Sequence, residues 1–134
     1  MPFIYPDGGN NARYESTGEI CDGRPLYCVV EGFLYRTALG RERVTVAVEA
    51  GFITDLASIP SLPFLPNPGG TLWDDAAIVH DQALHDAAAG ELTRAEADVI
   101  FYRALRDRGC SVFTATVFWL AVRIKSILKR KGNA

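Results

Sequence analysis

The spacing of apolar residues in the second half of the chain is that of amphipathic helices. From residue 72 onward, apolar positions recur every three to four residues. The pattern predicts three helices, at about residues 72–88, 94–108 and 112–130. Gly90 and Gly109 lie at the two breaks, where helix C-terminal caps favour glycine. Thr93 and Glu96 have the spacing of a capping box, which marks the start of the second helix.

The first half of the chain has strand-like patterns instead. The runs "PLYCVVEGFLYRTA" and "RVTVAVEAGF" are rich in β-branched and aromatic residues, and "LGRE" separates them. In the second run valines alternate with smaller or polar residues, as in a strand buried on one face. Residues 25–53 are therefore predicted to form an antiparallel β-hairpin or small sheet. Residues 1–24 are rich in Gly, Asn, Asp and Pro and predict an irregular arm with one short strand at most.

Residues 54–71 connect the two halves. Four prolines between residues 60 and 68 exclude a regular helix or a central strand. The same stretch holds several leucines, an isoleucine and a phenylalanine, which is too apolar for a solvated linker. We expect a loop packed against the core, of the kind that often frames a site. The whole 134-residue chain is predicted to be one α+β domain, with a hairpin or small sheet, the Pro-rich packed loop and three C-terminal helices.

Composition narrows the class of protein. The chain is 49% hydrophobic and 22% charged, which is typical of a globular domain. Its longest apolar stretch, residues 112–122, is too short for a membrane span, and the N-terminus has no signal-peptide pattern. The three cysteines form no CxxC pair, so we expect reduced thiols, with a Cys21–Cys28 bridge as the alternative.

Charge is distributed unevenly. Five of the 14 basic residues lie after residue 122, and no acidic residue follows Asp107. The rest of the chain then has nine basic and 16 acidic residues, a net charge of −7, which argues against nucleic acid as the main ligand. The basic tail suits the dipole of a helix C-terminus, or a contact with an acidic partner or a membrane surface. The five basic residues are Arg123, Lys125, Lys129, Arg130 and Lys131.

Two histidine–aspartate pairs lie in the first predicted helix, within "AAIVHDQALHDAAAG". At 100° per residue His80 falls in the middle of the apolar stripe, whereas His85 and Asp86 fall on the polar face with Asp75 and Gln82. His85–Asp86 is therefore interpreted as a solvated surface pair.

Asp98 falls on the apolar side of the second helix, where a carboxylate needs a partner. We predict a His80–Asp98 contact between the two helices. Such a pair can orient the imidazole as a general base, or it can simply lock the two helices together. The helix geometry does not decide between these roles.

Other polar groups are weaker candidates. Asp74, Asp81 and His85 share one helical column, which is an incomplete metal site or a solvated face. Asp55 and Ser58, within "TDLAS", either cap a turn or line the same site as His80. We would place any active site between that segment and His80.

The segments "GFITDLASIP" at 51–60, "HD" at 80–81 and "RAEADVIF" at 94–101 together resemble a family of small phage and prophage proteins, domain of unknown function 1353. The resemblance covers roughly residues 26–125. It implies a phage-encoded protein, located in the virion or the host cytoplasm and in contact with other phage proteins, but it supplies no reaction.

A looser likeness is to secreted phospholipases A2, which set a His-Asp on one helix against an Asp on the next. That likeness implies His80 as base, Asp98 as its orienter and Asp81 as a calcium ligand. The disulfides and the calcium loop of those enzymes are absent from this sequence.

Two functions remain open. The first is a virion or tail-associated structural module with a buried polar network. The second is a small hydrolase acting on host envelope lipid or cell wall. In the hydrolase His80, Asp98 and Asp55 would be catalytic, and Asp81, Ser58 and Thr54 would line the site for a substrate or ion.

Overall fold

The computed structural model describes residues 2–6, 9–56 and 73–132, the last four by backbone alone. It confirms the predicted α+β fold, with two small antiparallel sheets followed by three helices. The strands are β1 (Phe3–Ile4), β2 (Tyr14–Cys21), β3 (Arg24–Val29), β4 (Phe33–Leu39), β5 (Glu42–Val48) and β6 (Ile53–Thr54), and the helices are α1 (Asp74–Ala88), α2 (Arg94–Asp107) and α3 (Val112–Gly132).

One sheet has the strand order β1-β4-β5, and the other has the order β2-β3-β6. The β4–β5 hairpin confirms the prediction: Leu39 pairs with Glu42 across a turn that starts at Gly40, whose φ is 63°. The first predicted run, however, is not one strand. It divides into β3 and β4, which lie in different sheets, with a bend around Gly32. A Cβ at Gly32 would lie 2.8 Å from the carbonyl oxygen of Val48, so glycine permits this close approach of two backbones.

The N-terminal arm has more regular structure than the single short strand predicted for residues 1–24. It contains both β1 and β2, and the eight-residue β2 pairs with β3 across Asp22 and Gly23. Both turn residues have positive φ, 52° and 77°, as a type I′ hairpin turn requires. The "DG" dipeptide was therefore a hairpin signal, which the surrounding polar residues obscured.

The three helices begin and end within two residues of their predicted bounds, and the capping box is present. The Thr93 hydroxyl accepts from the Glu96 amide, while the Glu96 carboxylate accepts from the Thr93 amide. Helix α2 packs against both α1 and α3. The sheet β1-β4-β5 touches α1 through β5 and α2 through β4, so one core lies between sheet and helices.

Among the described residues, no helix combines the length and the apolar character needed to cross a membrane. None of the three cysteines, all within the described ranges, is in a disulfide.

Candidate functional site

The predicted contact between α1 and α2 is present in the structure. His80 Nε2 and Asp98 Oδ1 are 2.7 Å apart. The two residues are 2% and 0% exposed, so both polar groups are inside the core. An ionised carboxylate only accepts hydrogen bonds, and His80 therefore donates its Nε2 hydrogen to Asp98.

The second oxygen of Asp98 is bound from α3. Arg123 Nη1 and Ser126 Oγ each donate to Asp98 Oδ2 at 2.9 Å. Residues 123 and 126 are three apart and therefore share one side of their helix. Asp98, which lies on α2, thus connects all three helices. We call His80, Asp98, Arg123 and Ser126 the Asp98 network.

Two members of the Asp98 network were not predicted. Arg123 was counted with the basic tail, although only 23% of its side chain is exposed. Ser126 is 4% exposed, on the same face as the buried Phe118 and Val122. A serine at helical spacing among buried apolar positions was the available signal, because such a hydroxyl needs a partner.

The imidazole of His80 also packs against aromatic rings. It stacks on Phe101 with ring centroids 4.7 Å apart, and Phe101 in turn stacks on Phe118 at 6.3 Å. These contacts fix the plane of the imidazole ring as well as its hydrogen-bonding edge. The Asp98 network is therefore held by packing from α2 and α3.

The end of β6 lies beside α1, as the hypothesis of a shared site required. Thr54 is 2% exposed, and its side chain is hydrogen-bonded to the Asp81 carboxyl. Burial raises the pKa of Asp81 above its ordinary value, and the negative charge of Asp55 acts in the same direction. The Thr54 hydrogen bond and the charges of His85 and His80 oppose that rise. Thr54, Asp55, Asp81 and His80 are thus in one neighbourhood, whereas Ser58 lies outside the described residues.

The backbone next to this neighbourhood has an unusual conformation. Leu56 has a φ of 56°, in the left-handed region that branched L-residues rarely adopt, and its side chain is 0% exposed. The Leu56 amide donates to the Thr54 hydroxyl at 3.2 Å, which closes a tight turn around Asp55. In the sequence, the "TDLAS" motif was the signal for this turn.

Asp74, Asp81 and His85, which were considered as an incomplete metal site or a solvated face, do not share one exposed column. Asp74 is 0% exposed and accepts a hydrogen bond from the Tyr14 hydroxyl, so it does not share a surface with His85. No group of three or more His, Cys, Asp or Glu suited to a metal ion occurs within the described ranges.

Asp75 was predicted on the polar face of α1, and that prediction was wrong. It is 3% exposed and accepts from the Tyr5 hydroxyl and, at 3.0 Å, from the Ala12 amide. Arg108 Nη2 lies 4.0 Å from the same carboxylate. Burial raises the pKa of Asp75, and the hydrogen bonds from Tyr5 and Ala12 partly oppose this effect. The N-terminal arm covers this end of α1, which helical periodicity cannot reveal.

The second His-Asp pair is at the surface. His85 is exposed, with its ring edge-on to Phe52 at 5.3 Å, while Asp86 accepts from Gln82 at 3.0 Å. A cleft of about 560 Å³ opens here between α1 and the turn after β5. Gln82 and Asp86 line this cleft, and His80 does not.

Fold and site together define a small α+β domain in which a buried histidine and aspartate and a partly buried arginine join three helices. The family model described as "Protein of unknown function (DUF1353)" matches residues 27–122, and the chain belongs to that family. No curated protein and no solved structure matches the chain.

Proposed function

We propose that this protein is a structural or accessory component of a phage particle, associated with the virion or its tail, and that the Asp98 network stabilises the fold. The observation that carries the proposal is the complete pairing of Asp98, whose two oxygens accept donors from both α1 and α3. These bonds connect α3 to α1 and α2 through one buried carboxylate, which is the arrangement expected of a group that stabilises the fold.

The burial of His80 supports the same role. A general base must come within hydrogen-bond distance of the proton it removes, yet His80 is 2% exposed and stacked on Phe101. A cleft beside α1 is lined by Gln82 and Asp86 and not by His80.

The phage origin is supported by the motif segments that resemble phage and prophage proteins. Its partners would then be other phage proteins, in the virion or in the host cytoplasm. The basic tail supplies cations for an acidic neighbour or for a membrane surface.

A test should separate the hydrogen bond of His80 from its basicity. His80→Gln keeps an N–H donor near the position of Nε2 but has no basic nitrogen, whereas His80→Ala removes the donor. For a structural role we expect the Gln variant to melt close to the wild type and to support normal assembly and infectivity, while the Ala variant melts lower. Mass spectrometry of purified particles should find the protein in them. A His80→Gln phage that folds normally but is not infectious would overturn the proposal, as would absence of the protein from particles.

The second candidate is a small hydrolase acting on host envelope lipid or cell wall. The left-handed Leu56 favours it, because backbone strain in a buried residue is found preferentially at functional sites. In that role His80 would be the base, Asp98 its orienter, and Asp55 a further catalytic group. Thr54, Asp81 and Ser58 would then line the site for a substrate or ion.

The hydrolase is tested by incubating the purified protein with phospholipid vesicles or with isolated cell walls, with and without calcium. Released fatty acid or cell-wall fragments, lost in His80→Gln, would establish it. No product from either substrate, with a folded protein, would count against it.

A further inference from the structure

Helix α3 is apolar on two opposite faces. One face packs into the core through residues such as Ala115, Phe118 and Val122, which are 0 to 4% exposed. The opposite face is also apolar but uncovered, with exposures of 46 to 72%. We call this second face the outer stripe; it consists of Phe113, Leu120, Ile124 and Ile127, which have these exposures, and of Val117, which is partly exposed and packs against the core.

The spacing of the outer stripe is that of a coiled-coil seam. Its members alternate at intervals of four and three residues, which is the heptad spacing that keeps side chains facing one partner helix. At 100° per residue the five members lie within roughly 80° of each other, which is narrower than the apolar face of about 100° or more that an amphipathic helix lays on a surface. The stripe therefore fits another helix better than a lipid surface.

The stripe is also symmetric about its middle. Phe113 and Ile127 each lie seven residues from Leu120. Two such helices packed antiparallel across a two-fold axis at Leu120 would place Phe113 of one against Ile127 of the other. An isologous interface requires this kind of self-complementary surface.

Charge selects the antiparallel arrangement. All five cations of α3 lie at or after Arg123, and residues 112–122 carry no charge. Parallel pairing would bring the two basic ends together, whereas antiparallel pairing lays each basic end along the uncharged half of its neighbour.

We infer that two copies of this chain pair antiparallel through the outer stripe of α3. From the exposed fractions, the side chains of the stripe and the adjoining Leu128 would bury on the order of 1,000 Å² over both copies, near the lower limit for a specific interface. The inference goes beyond the proposed function, because the stripe lies on the face of α3 turned away from the Asp98 network. If the protein is found to be monomeric, the proposed structural role of the Asp98 network is not affected.

Sedimentation equilibrium of the full chain over micromolar to submillimolar concentrations tests the pairing. We expect a species of twice the 14.6 kDa chain mass. Leu120→Glu would place two unpaired carboxylates on the axis and should raise the dimer Kd by at least about 100-fold. Ile20→Glu is the matched control, since Ile20 is 73% exposed on β2, and it should leave the Kd within about twofold. Melting temperatures would show that both variants are folded.

Cysteine cross-linking tests the orientation. A mixture of Phe113→Cys and Ile127→Cys chains should give a disulfide-linked dimer under mild oxidation. Each variant alone should give no more than the background from the native cysteines of the wild type. Linkage within the Phe113→Cys variant alone would show parallel pairing and overturn the arrangement.

Two further outcomes would overturn the pairing itself. One is a monomer at every concentration. The other is a monomer that binds vesicles containing phosphatidylglycerol in a manner abolished by Leu120→Glu, which would assign the stripe to a membrane.

Discussion

Buried carboxylates occur in two regions of this molecule, and the two regions satisfy them differently. Asp98 is compensated by a cation: Arg123 lies 2.9 Å from it, with His80 and Ser126 as further donors. At the start of α1, Asp74 and Asp75 accept instead from the hydroxyls of Tyr14 and Tyr5. Arg108 is 4.0 Å from Asp75, beyond hydrogen-bond range. One region is built around a hydrogen-bonded ion pair, and the other around hydroxyl and amide donors with a more distant cation.

The difference has an energetic consequence. Removing one member of a buried ion pair leaves the other charge uncompensated, which costs more than removing a neutral hydrogen bond. Truncating one side chain should therefore lower the free energy of unfolding more in the Asp98 network than at the start of α1. The following variants compare the two losses.

Asp98→Ala should have the largest effect. It leaves the guanidinium of Arg123 unpaired and removes the acceptor of His80, so we expect a loss of about 3–5 kcal/mol in the free energy of unfolding. Urea denaturation at pH 7 measures it. Asp86→Ala, on α1, is the control. In the described contacts the Asp86 carboxylate accepts only from the neighbouring Gln82, so this substitution should change the free energy of unfolding by about 0.5 kcal/mol or less.

The double variant Asp98→Leu/Arg123→Leu tests the cause of that loss. With both charges removed, the protein should recover a substantial part of the stability lost in Asp98→Ala. A double variant no more stable than the single one would show that packing, rather than the uncompensated charge, dominates.

Asp75→Ala should have an intermediate effect. It removes the acceptor of the Tyr5 hydroxyl and of the Ala12 amide, and we expect a loss of about 1–3 kcal/mol. Asp75→Asn keeps an acceptor oxygen and removes a charge whose burial is unfavourable, so it should lose less than Asp75→Ala. If Asp75→Asn is as damaging as Asp98→Ala in the same urea titration, then the two regions do not differ as the contacts indicate.

The two regions also differ in how far the sequence could reveal them. The partners of Asp98 are 18 to 28 residues away along the chain, all on helices whose faces follow from periodicity. That is why the His80–Asp98 contact was predicted. The hydrogen-bond partners of Asp74 and Asp75 are 60 to 70 residues away, in the N-terminal arm. No local pattern specifies such a contact, and Asp75 was accordingly misplaced on the polar face.

The same distinction holds for the fold. Helix bounds and the β4–β5 hairpin follow from local spacing and caps, and they were predicted. The division of one apolar run into β3 and β4 depends on the close approach of Gly32 to Val48, a tertiary contact between backbones. The left-handed Leu56 likewise depends on its surroundings, because leucine has no intrinsic preference for that conformation.

Asp81 should show the smallest effect, and one that depends on pH. It follows His80 on α1 and is bonded to Thr54, and burial raises its pKa above the ordinary value of 3.8. The native state then binds this proton more tightly than the unfolded chain does, so the contribution of Asp81 to stability falls as pH rises above 3.8 through the raised pKa.

Asp81→Asn keeps an acceptor for Thr54 and removes the titration. Relative to the wild type it should become more stable between pH 4 and pH 7, by less than the losses expected for Asp98→Ala and Asp75→Ala; Asp86→Asn, on the same helix, is the control. Urea titrations of the three proteins at several pH values measure the difference, and a gap that is constant or that reverses sign would show that Asp81 is not buried at an energetic cost beside Thr54.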